Sequence, residues 1–168
     1  MTVSKETEIY LQDHLAGATA GTELVRRTAG SNSGNDYGPE LERLAREIED
    51  DREALIRIAD ALDANRSRLK EAGAWAGEKV GRLKPNNSIL SYSPLSRLLE
   101  FEGLVLGLNG KRSLWRALRE TLGDEIAGHE LAELIRRAED QLERLERLRL
   151  RAAKEALASP ERASAPTA

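Results

Sequence analysis

Apolar residues recur at three- and four-residue intervals along four long stretches of this chain. That spacing places them on one face of an α-helix. Three of the series include Leu11, Leu15, Ala18 and Val25; Leu41, Leu44, Ile48, Leu55, Ala59 and Leu62; and Ala127, Leu131, Leu134, Ala138, Leu142, Leu145 and Leu148. In the remaining stretch, Leu98, Leu99, Val105 and Leu106 lie three and four residues on either side of Glu102. Each apolar face must be buried against another, so the pattern predicts an all-α fold in which four helices pack as a bundle.

Capping signals and loop residues set the predicted bounds. Pro39 and Pro94, the latter after Ser93, stand at the first-turn position that tolerates proline. The four helices are predicted at residues 5–28, 39–62, 94–122 and 125–158.

An additional shorter helix is predicted at 67–83, between the second and third helices. Asn65 and Ser67 resemble a stop and a restart, so continuity through 63–67 stays open. This segment is long enough to return along the bundle, which would make the second and third helices parallel. Residues 1–158 are predicted to form one domain, and the Pro, Ser and Ala content of 159–168 indicates a disordered tail.

Charge and composition narrow the functional classes. The net charge is −3 and acids alternate with bases, so no face resembles a phosphate-tracking stripe and nucleic-acid binding is not expected. Cysteine is absent, which excludes disulfides and cysteine-based zinc sites. The longest nearly apolar stretch, 101–108, is too short to span a bilayer. We therefore expect a soluble, cytoplasmic protein without a membrane partner.

Two local motifs contain residues that could carry chemistry. Gly107 to Lys111 superficially resembles a phosphate-binding loop, but Val105 and Arg112 stand where that motif needs Gly and Ser or Thr, so a bend or helix break is favoured. Glu125 precedes His129 by four residues and would share a helix face with it. We interpret His129 as a partly exposed side chain rather than a ligand.

Polar residues within or beside the apolar stripes are more informative. Counted from the helix ends they lie near one level, and they are His14, Asp51, Arg52, Glu102 and Gln141. Buried charges must be paired or must bind an ion. One interpretation is a structural network in which Asp51 and Glu102 accept hydrogen bonds from Arg52. The other is a metal site with His14, Asp51 and Glu102 as ligands. Arginine already supplies a cation, which favours the network.

At this point the chain resembles the ferritin-like superfamily, specifically an uncharacterised bacterial branch lacking the full di-iron ligand set. The resemblance rests on three stretches: 10–15 (YLQDHL), 47–52 (EIEDDR) and 98–104 (LLEFEGL). It implies a ferritin-like four-helix bundle without a specific activity.

Di-iron members of that superfamily carry Glu-x-x-His on two helices and a glutamate on each of the other two. By that resemblance the fallback metal candidates are Glu23, Glu47, Asp50 and Glu100, with aspartate at position 50 where the family has histidine. No metal or other cofactor is expected from this residue set, and iron or manganese is the alternative.

Three functions follow as hypotheses. The first is a non-catalytic structural or interaction protein, so that no catalytic residue is expected. The second is an atypical carboxylate-rich metal protein, either an oxidase or a storage protein. The third is a small-molecule-binding bundle with pockets left by Gly17, Gly21, Gly103 and Gly107 near Trp115.

A homodimer is predicted through the C-terminal half of the fourth helix. There Leu145, Leu148 and Ala152 form an apolar stripe rimmed by charges, on a segment expected to project beyond the shorter first helix.

Overall fold

A computed structural model of the chain describes residues 3–64 and 92–158. Within these ranges the helices are α1 (Lys5–Ser31), α2 (Gly38–Ala61), α3 (Pro94–Leu122) and α4 (Leu131–Leu157). A short antiparallel hairpin of β1 (Glu125–Ile126) and β2 (His129–Glu130) joins α3 to α4. The predicted helix at 67–83, the proposed restart at Asn65 and Ser67, and the tail at 159–168 lie outside the described residues.

The helix starts follow the capping signals. The Ser4 hydroxyl accepts from the Thr7 amide at 3.2 Å, and the Ser93 hydroxyl accepts from the Ser96 amide at 3.1 Å. Each satisfies one of the amides that a helix start leaves without a partner. Pro39 lies in the first turn of α2, where its missing N–H carries no penalty.

The predicted start of the fourth helix at Glu125 is wrong, because residues 125–130 form the hairpin. Gly123 ends α3 with φ +106°, and Ala127 and Gly128 have φ +53° and +74°. Two consecutive positive φ values are the geometry of a tight hairpin turn and are incompatible with an α-helix. Ile126 of the hairpin is buried in the core. Glu125 and His129 therefore do not share a helix face.

Two apolar clusters show which ends of the four helices lie together, and therefore in which direction each helix runs. One cluster joins the start of α1 and the end of α2 to the end of α3 and the start of α4, and it includes Leu11, Ile58, Leu118 and Leu131. The other joins the opposite ends, and it includes Val25, Leu41, Phe101 and Leu145. The order is therefore up, down, down, up, and α2 and α3 run parallel, as the length of the intervening segment predicts.

Helix α3 is unbroken through Gly107 and Gly110, so a helix break there is wrong, while a bend stays a prediction. The face of α3 inferred from the sequence is also partly misplaced. Leu99 and Leu106 are 58% and 74% exposed, whereas Phe101 and Leu104 are buried. No helix in the described ranges contains a stretch long and apolar enough to cross a membrane.

The C-terminal half of α4 packs within its own chain. Helices α1 and α4 each have 27 residues, so the expected projection of α4 beyond α1 is wrong. Leu145 and Ala152 are buried, and Leu148 packs against the same cluster. The predicted dimer stripe is therefore already covered, while Leu150 and Leu157 remain exposed. Formation of a homodimer stays a prediction.

Candidate functional site

A cluster of polar side chains separates the two apolar clusters at mid-height. It consists of Asp51 on α2, Lys111 on α3, and Arg137 and Gln141 on α4, which we call the polar cluster. Asp51 and Gln141 are almost completely buried, at 1% and 0% exposure. Each lies at the helical spacing of the apolar residues beside it, as Asp51 does between Ile48 and Leu55. The buried faces of the helices therefore carry both polar side chains into the interior.

Hydrogen bonds connect every member of the polar cluster. Lys111 Nζ donates to Asp51 Oδ2 and to Gln141 Oε1, each at 2.5 Å. Gln141 Nε2 donates to Asp51 Oδ2 at 3.0 Å, and Arg137 donates to Asp51 Oδ1. One carboxylate thus faces two cationic side chains, and the cluster carries one excess positive charge when Lys111 is protonated.

A cavity of about 310 Å³ adjoins the polar cluster between α1, α2 and α3. Its walls are mostly apolar, and Asp51 and Lys111 contribute polar groups from the cluster. The apolar side chains lining it are Ala18, Ile48, Leu55, Leu104, Leu108, Leu114 and Trp115. An apolar chamber with a few convergent polar groups has the general character of a small-molecule site.

Five glycines line the cavity, and they account for much of its space. They are Gly17, Gly21, Gly103, Gly107 and Gly110. A Cβ added at Gly17, Gly21, Gly107 or Gly110 would meet no described atom within 4 Å. No neighbouring helix in the described ranges therefore packs closely on Gly17 or Gly21. Gly103 differs, since its Cβ would lie 3.2 Å from Leu24.

Two of the predicted site residues, His14 and Arg52, line the cavity rather than joining the polar cluster. Arg52 hydrogen-bonds Glu49 at 3.3 Å and Thr19 at 3.4 Å, so it pairs with neither Asp51 nor Glu102 in the described residues. Burial lowers the pKa of His14, and the nearby Asp13 opposes this effect. His14 therefore favours the neutral imidazole.

The structure overturns the interior position predicted for Glu102. Its side chain is 46% exposed and lies 3.6 Å from Arg149 at the surface. The sequence placed Glu102 on a stripe with Leu99 and Leu106, and both of those leucines are themselves exposed. Asp51 and Gln141 are the two predicted residues that come into contact.

Sequence reasoning missed Lys111 and Arg137. Lys111 follows Leu108 by three residues and precedes Trp115 by four, so helical spacing placed it on the buried face. It was considered only as part of a phosphate-loop motif. Burial lowers the pKa of Lys111 to about 7, against a raising effect from Glu47.

The fallback metal candidates do not converge. Glu47 pairs with Arg144 and Arg43, and Glu100 pairs with Arg27 at 3.2 Å. Glu23 and Asp50 are exposed. Among residues 3–64 and 92–158, no group of three or more His, Asp or Glu side chains is arranged to hold a metal ion. The side chains present here therefore do not fit a di-iron ligand set.

A neighbouring ion-pair cluster is centred on Arg144. This nearly buried guanidinium pairs with Glu40 at 2.7 Å, Asp140 at 2.8 Å and also Glu47. Burial acts to lower its pKa, but hydrogen bonds and charge from Glu47 and Glu40 raise the pKa overall. We interpret this cluster as a brace between α2 and α4.

One polar atom of a residue that lines the cavity lacks a partner. Trp115 is fully buried, and its indole Nε1 has no hydrogen-bond acceptor within the described part of the chain. An unpaired buried N–H costs about 1–3 kcal/mol, so this position lowers the stability of the fold.

Comparison with known proteins assigns no relative. No family model, curated protein or solved structure matches this chain.

Proposed function

We propose that this protein binds a small, predominantly apolar molecule in the cavity at mid-height of its four helices. The observation that carries the proposal is the chamber of about 310 Å³, lined by five glycines and bordered by Asp51 and Lys111. The volume lies at the lower end of the range for ligand pockets.

The glycines support a ligand site because their absent side chains create space. A helical glycine is about 0.5–1 kcal/mol less stable than alanine. At Gly17, Gly21, Gly107 and Gly110 an alanine Cβ would touch no described atom. Close packing within the described chain therefore does not require glycine there, whereas an open chamber does.

The chemistry of the wall indicates the kind of ligand. Apolar side chains on three helices favour a ligand with an apolar body. When Lys111 is protonated, it retains a third N–H beyond the two bonds it makes to Asp51 and Gln141. The site thus suits an apolar molecule with one oxygen-bearing group.

We further propose a ferritin-like relationship for the architecture. The up, down, down, up helix order supports it, since a single long crossover between the second and third helices produces that order. The metal-protein hypothesis has less support, because Glu47 and Glu100 are engaged by arginines.

Binding of the neutral dye N-phenyl-1-naphthylamine tests the ligand site. The purified full chain should enhance the dye's fluorescence in a saturable manner. Gly107→Leu places a side chain in the open space and should weaken dye binding at least about tenfold, a loss of about 1.4 kcal/mol.

Gly30→Leu is the matched control. Gly30 also lies in a helix with no described atom near its Cβ, but it does not line the cavity. This variant should bind the dye like the native chain. Equal dye affinity in the native chain and Gly107→Leu would place binding elsewhere, and absence of saturable binding would favour the structural-protein hypothesis.

A further inference from the structure

The Lys111 amine is a nucleophile that a charged network holds at the cavity wall. Its Nζ is held by acceptors on two other helices, Asp51 Oδ2 and Gln141 Oε1. Because both bonds orient the amine, Lys111 occupies a fixed position at an otherwise mostly apolar wall.

Asp51 is oriented in turn by other groups. Arg137 donates to Oδ1, and Gln141 Nε2 donates to Oδ2 at 3.0 Å. A nucleophile within hydrogen-bond reach of a base, with that base fixed by a third group, is the general arrangement of an activated nucleophile. Here the nucleophile is an amine, the base is a carboxylate, and Arg137 favours the ionised form of that carboxylate.

We propose that Lys111 forms a reversible imine with small apolar aldehydes that enter the cavity. The inference rests on the proposed ligand site and names a ligand class for it. Amines in desolvated pockets are suited to this reaction, because only the neutral amine attacks a carbonyl.

The step balances without an oxidant, a reductant or a cofactor. The ammonium first transfers a proton to Asp51 Oδ2, and the neutral Nζ then attacks the carbonyl carbon to form a C–N bond. The carbonyl oxygen takes up the proton held by Asp51 and becomes the hydroxyl of a carbinolamine. Loss of that hydroxyl with a proton from nitrogen releases one water and leaves the imine; hydrolysis reverses it.

The surroundings of Lys111 favour the neutral amine at ordinary pH. Burial lowers its pKa to about 7, and Arg137 competes with it for the single carboxylate of Asp51. Lys5 and Lys154, the other lysines in the described ranges, are exposed. They serve as internal references for amine reactivity.

Reductive trapping tests the proposal. The full chain is incubated with hexanal and sodium cyanoborohydride at pH 7, and the reduced adduct is located by peptide mass spectrometry. The expected result is one hexyl group on Lys111, added at least about tenfold faster than on Lys154. Comparable labelling of Lys111 and Lys154 would overturn the proposal.

Two variants distinguish imine formation inside the cavity from the ordinary reaction of exposed lysine amines. Lys111→Met should lose the fast adduct and keep the slow labelling of other lysines. Gly107→Leu keeps the amine and fills the space beside it, so its fast labelling should also disappear. Fast labelling of Lys111 that persists in Gly107→Leu would show that the cavity is not used, and would contradict the proposal.

Dye binding distinguishes failure of the imine proposal from failure of the ligand site. N-phenyl-1-naphthylamine cannot form an imine, so it reports occupancy alone. Saturable dye binding without a fast Lys111 adduct would overturn the imine and leave the ligand site standing. Absence of both would overturn both proposals.

Discussion

At the scale of single residues, one carboxylate compensates two cations in the polar cluster. Asp51 accepts from Lys111 and Arg137, and it is 1% exposed. Removing one partner of a buried ion pair is far more destabilising than removing the whole pair, because an uncompensated charge stays behind. The consequences of substitution at Asp51 and at Glu102 should therefore differ sharply.

Asp51→Leu should destabilise the protein by about 3–5 kcal/mol, since Lys111 and Arg137 lose their shared acceptor. Glu102→Leu is the matched control, and at its exposed site the change should stay within about 0.5 kcal/mol. Urea unfolding measures both. Asp51→Leu combined with Lys111→Met should recover much of the loss. A silent Asp51→Leu would show that the polar cluster does not form.

Lys111 also gives stability a pH dependence of defined sign. Its pKa falls from 10.5 in the unfolded chain to about 7 in the folded protein. Between these values the unfolded state binds more protons, so the free energy of unfolding rises with pH from ~7 towards ~10.5. The groups facing Lys111 are Asp51 and Glu47 on α2 and Arg137 on α4. The other charged or titratable residues that border the same cavity are Asp13, His14 and Arg52.

Urea unfolding of the native chain and of Lys111→Met between pH 7 and 9.5 isolates this contribution. The native chain should gain stability relative to the variant as pH rises. Parallel pH profiles of the two proteins would mean that Lys111 keeps its ordinary pKa. The range stops below pH 10 because the pKa of Tyr37 is raised by burial and by Glu155, which adds an opposite dependence there.

Residue spacing was sufficient to predict that Asp51 and Gln141 lie within the buried faces of their helices. It did not identify Lys111 and Arg137, which complete the polar cluster. Both residues lie within apolar stripes whose members are buried, so the position that helical spacing predicts for Asp51 and for Gln141 is also the one observed. Glu102 was misplaced because α3 carries a second row of leucines, including Leu99 and Leu106, that is exposed in the described structure. Lys111 has the correct spacing, but in the sequence it stood out only within the motif that resembles a phosphate-binding loop. The cavity itself depends on the placement of three helices, which spacing along one helix cannot supply.

At the scale of elements, the hairpin between α3 and α4 replaces a predicted helical turn. The apolar period continues through Ala127 into Leu131, so the pattern alone favours helix. The backbone conformation nevertheless excludes a helix here. Gly123 has a positive φ at the end of α3, and Ala127 and Gly128 both have positive φ in the hairpin turn. Left-handed backbone disfavours a residue with a Cβ by about 1–2 kcal/mol.

The same substitution should therefore have opposite effects at two nearby alanines. Ala127→Gly removes a Cβ from a φ of +53° and should raise stability by about 0.5–1 kcal/mol. Ala132→Gly, at an exposed position in α4, should lower it by about 1 kcal/mol. Thermal unfolding distinguishes them. Destabilisation by both changes would indicate that residues 125–130 are helical.

At the scale of the whole molecule, the cavity lies between the two apolar clusters of the described residues. One apolar cluster lies on each side of it, and the polar cluster lies at the same height. A helical glycine is about 0.5–1 kcal/mol less stable than alanine. The glycines that border the chamber of about 310 Å³ therefore lower the stability of the unliganded fold.

This arrangement predicts a trade-off between stability and binding. Combining Gly17→Ala, Gly21→Ala, Gly107→Ala and Gly110→Ala should raise the free energy of unfolding by about 2–4 kcal/mol, because each change replaces a helical glycine without a clash with the described atoms. The four added methyl groups narrow the chamber. Affinity for N-phenyl-1-naphthylamine should therefore fall while the melting temperature rises.

Gly30→Ala is the matched control, because it should raise stability at an exposed helical position without changing dye affinity. If the fourfold variant is more stable and its dye affinity is unchanged, the glycines do not contribute to ligand binding. A fourfold variant that is less stable would show that alanine is not accommodated at these positions. The expected combination of gained stability and lost affinity would identify the glycines as residues that serve the cavity at the expense of the fold, as expected for a site shaped by function.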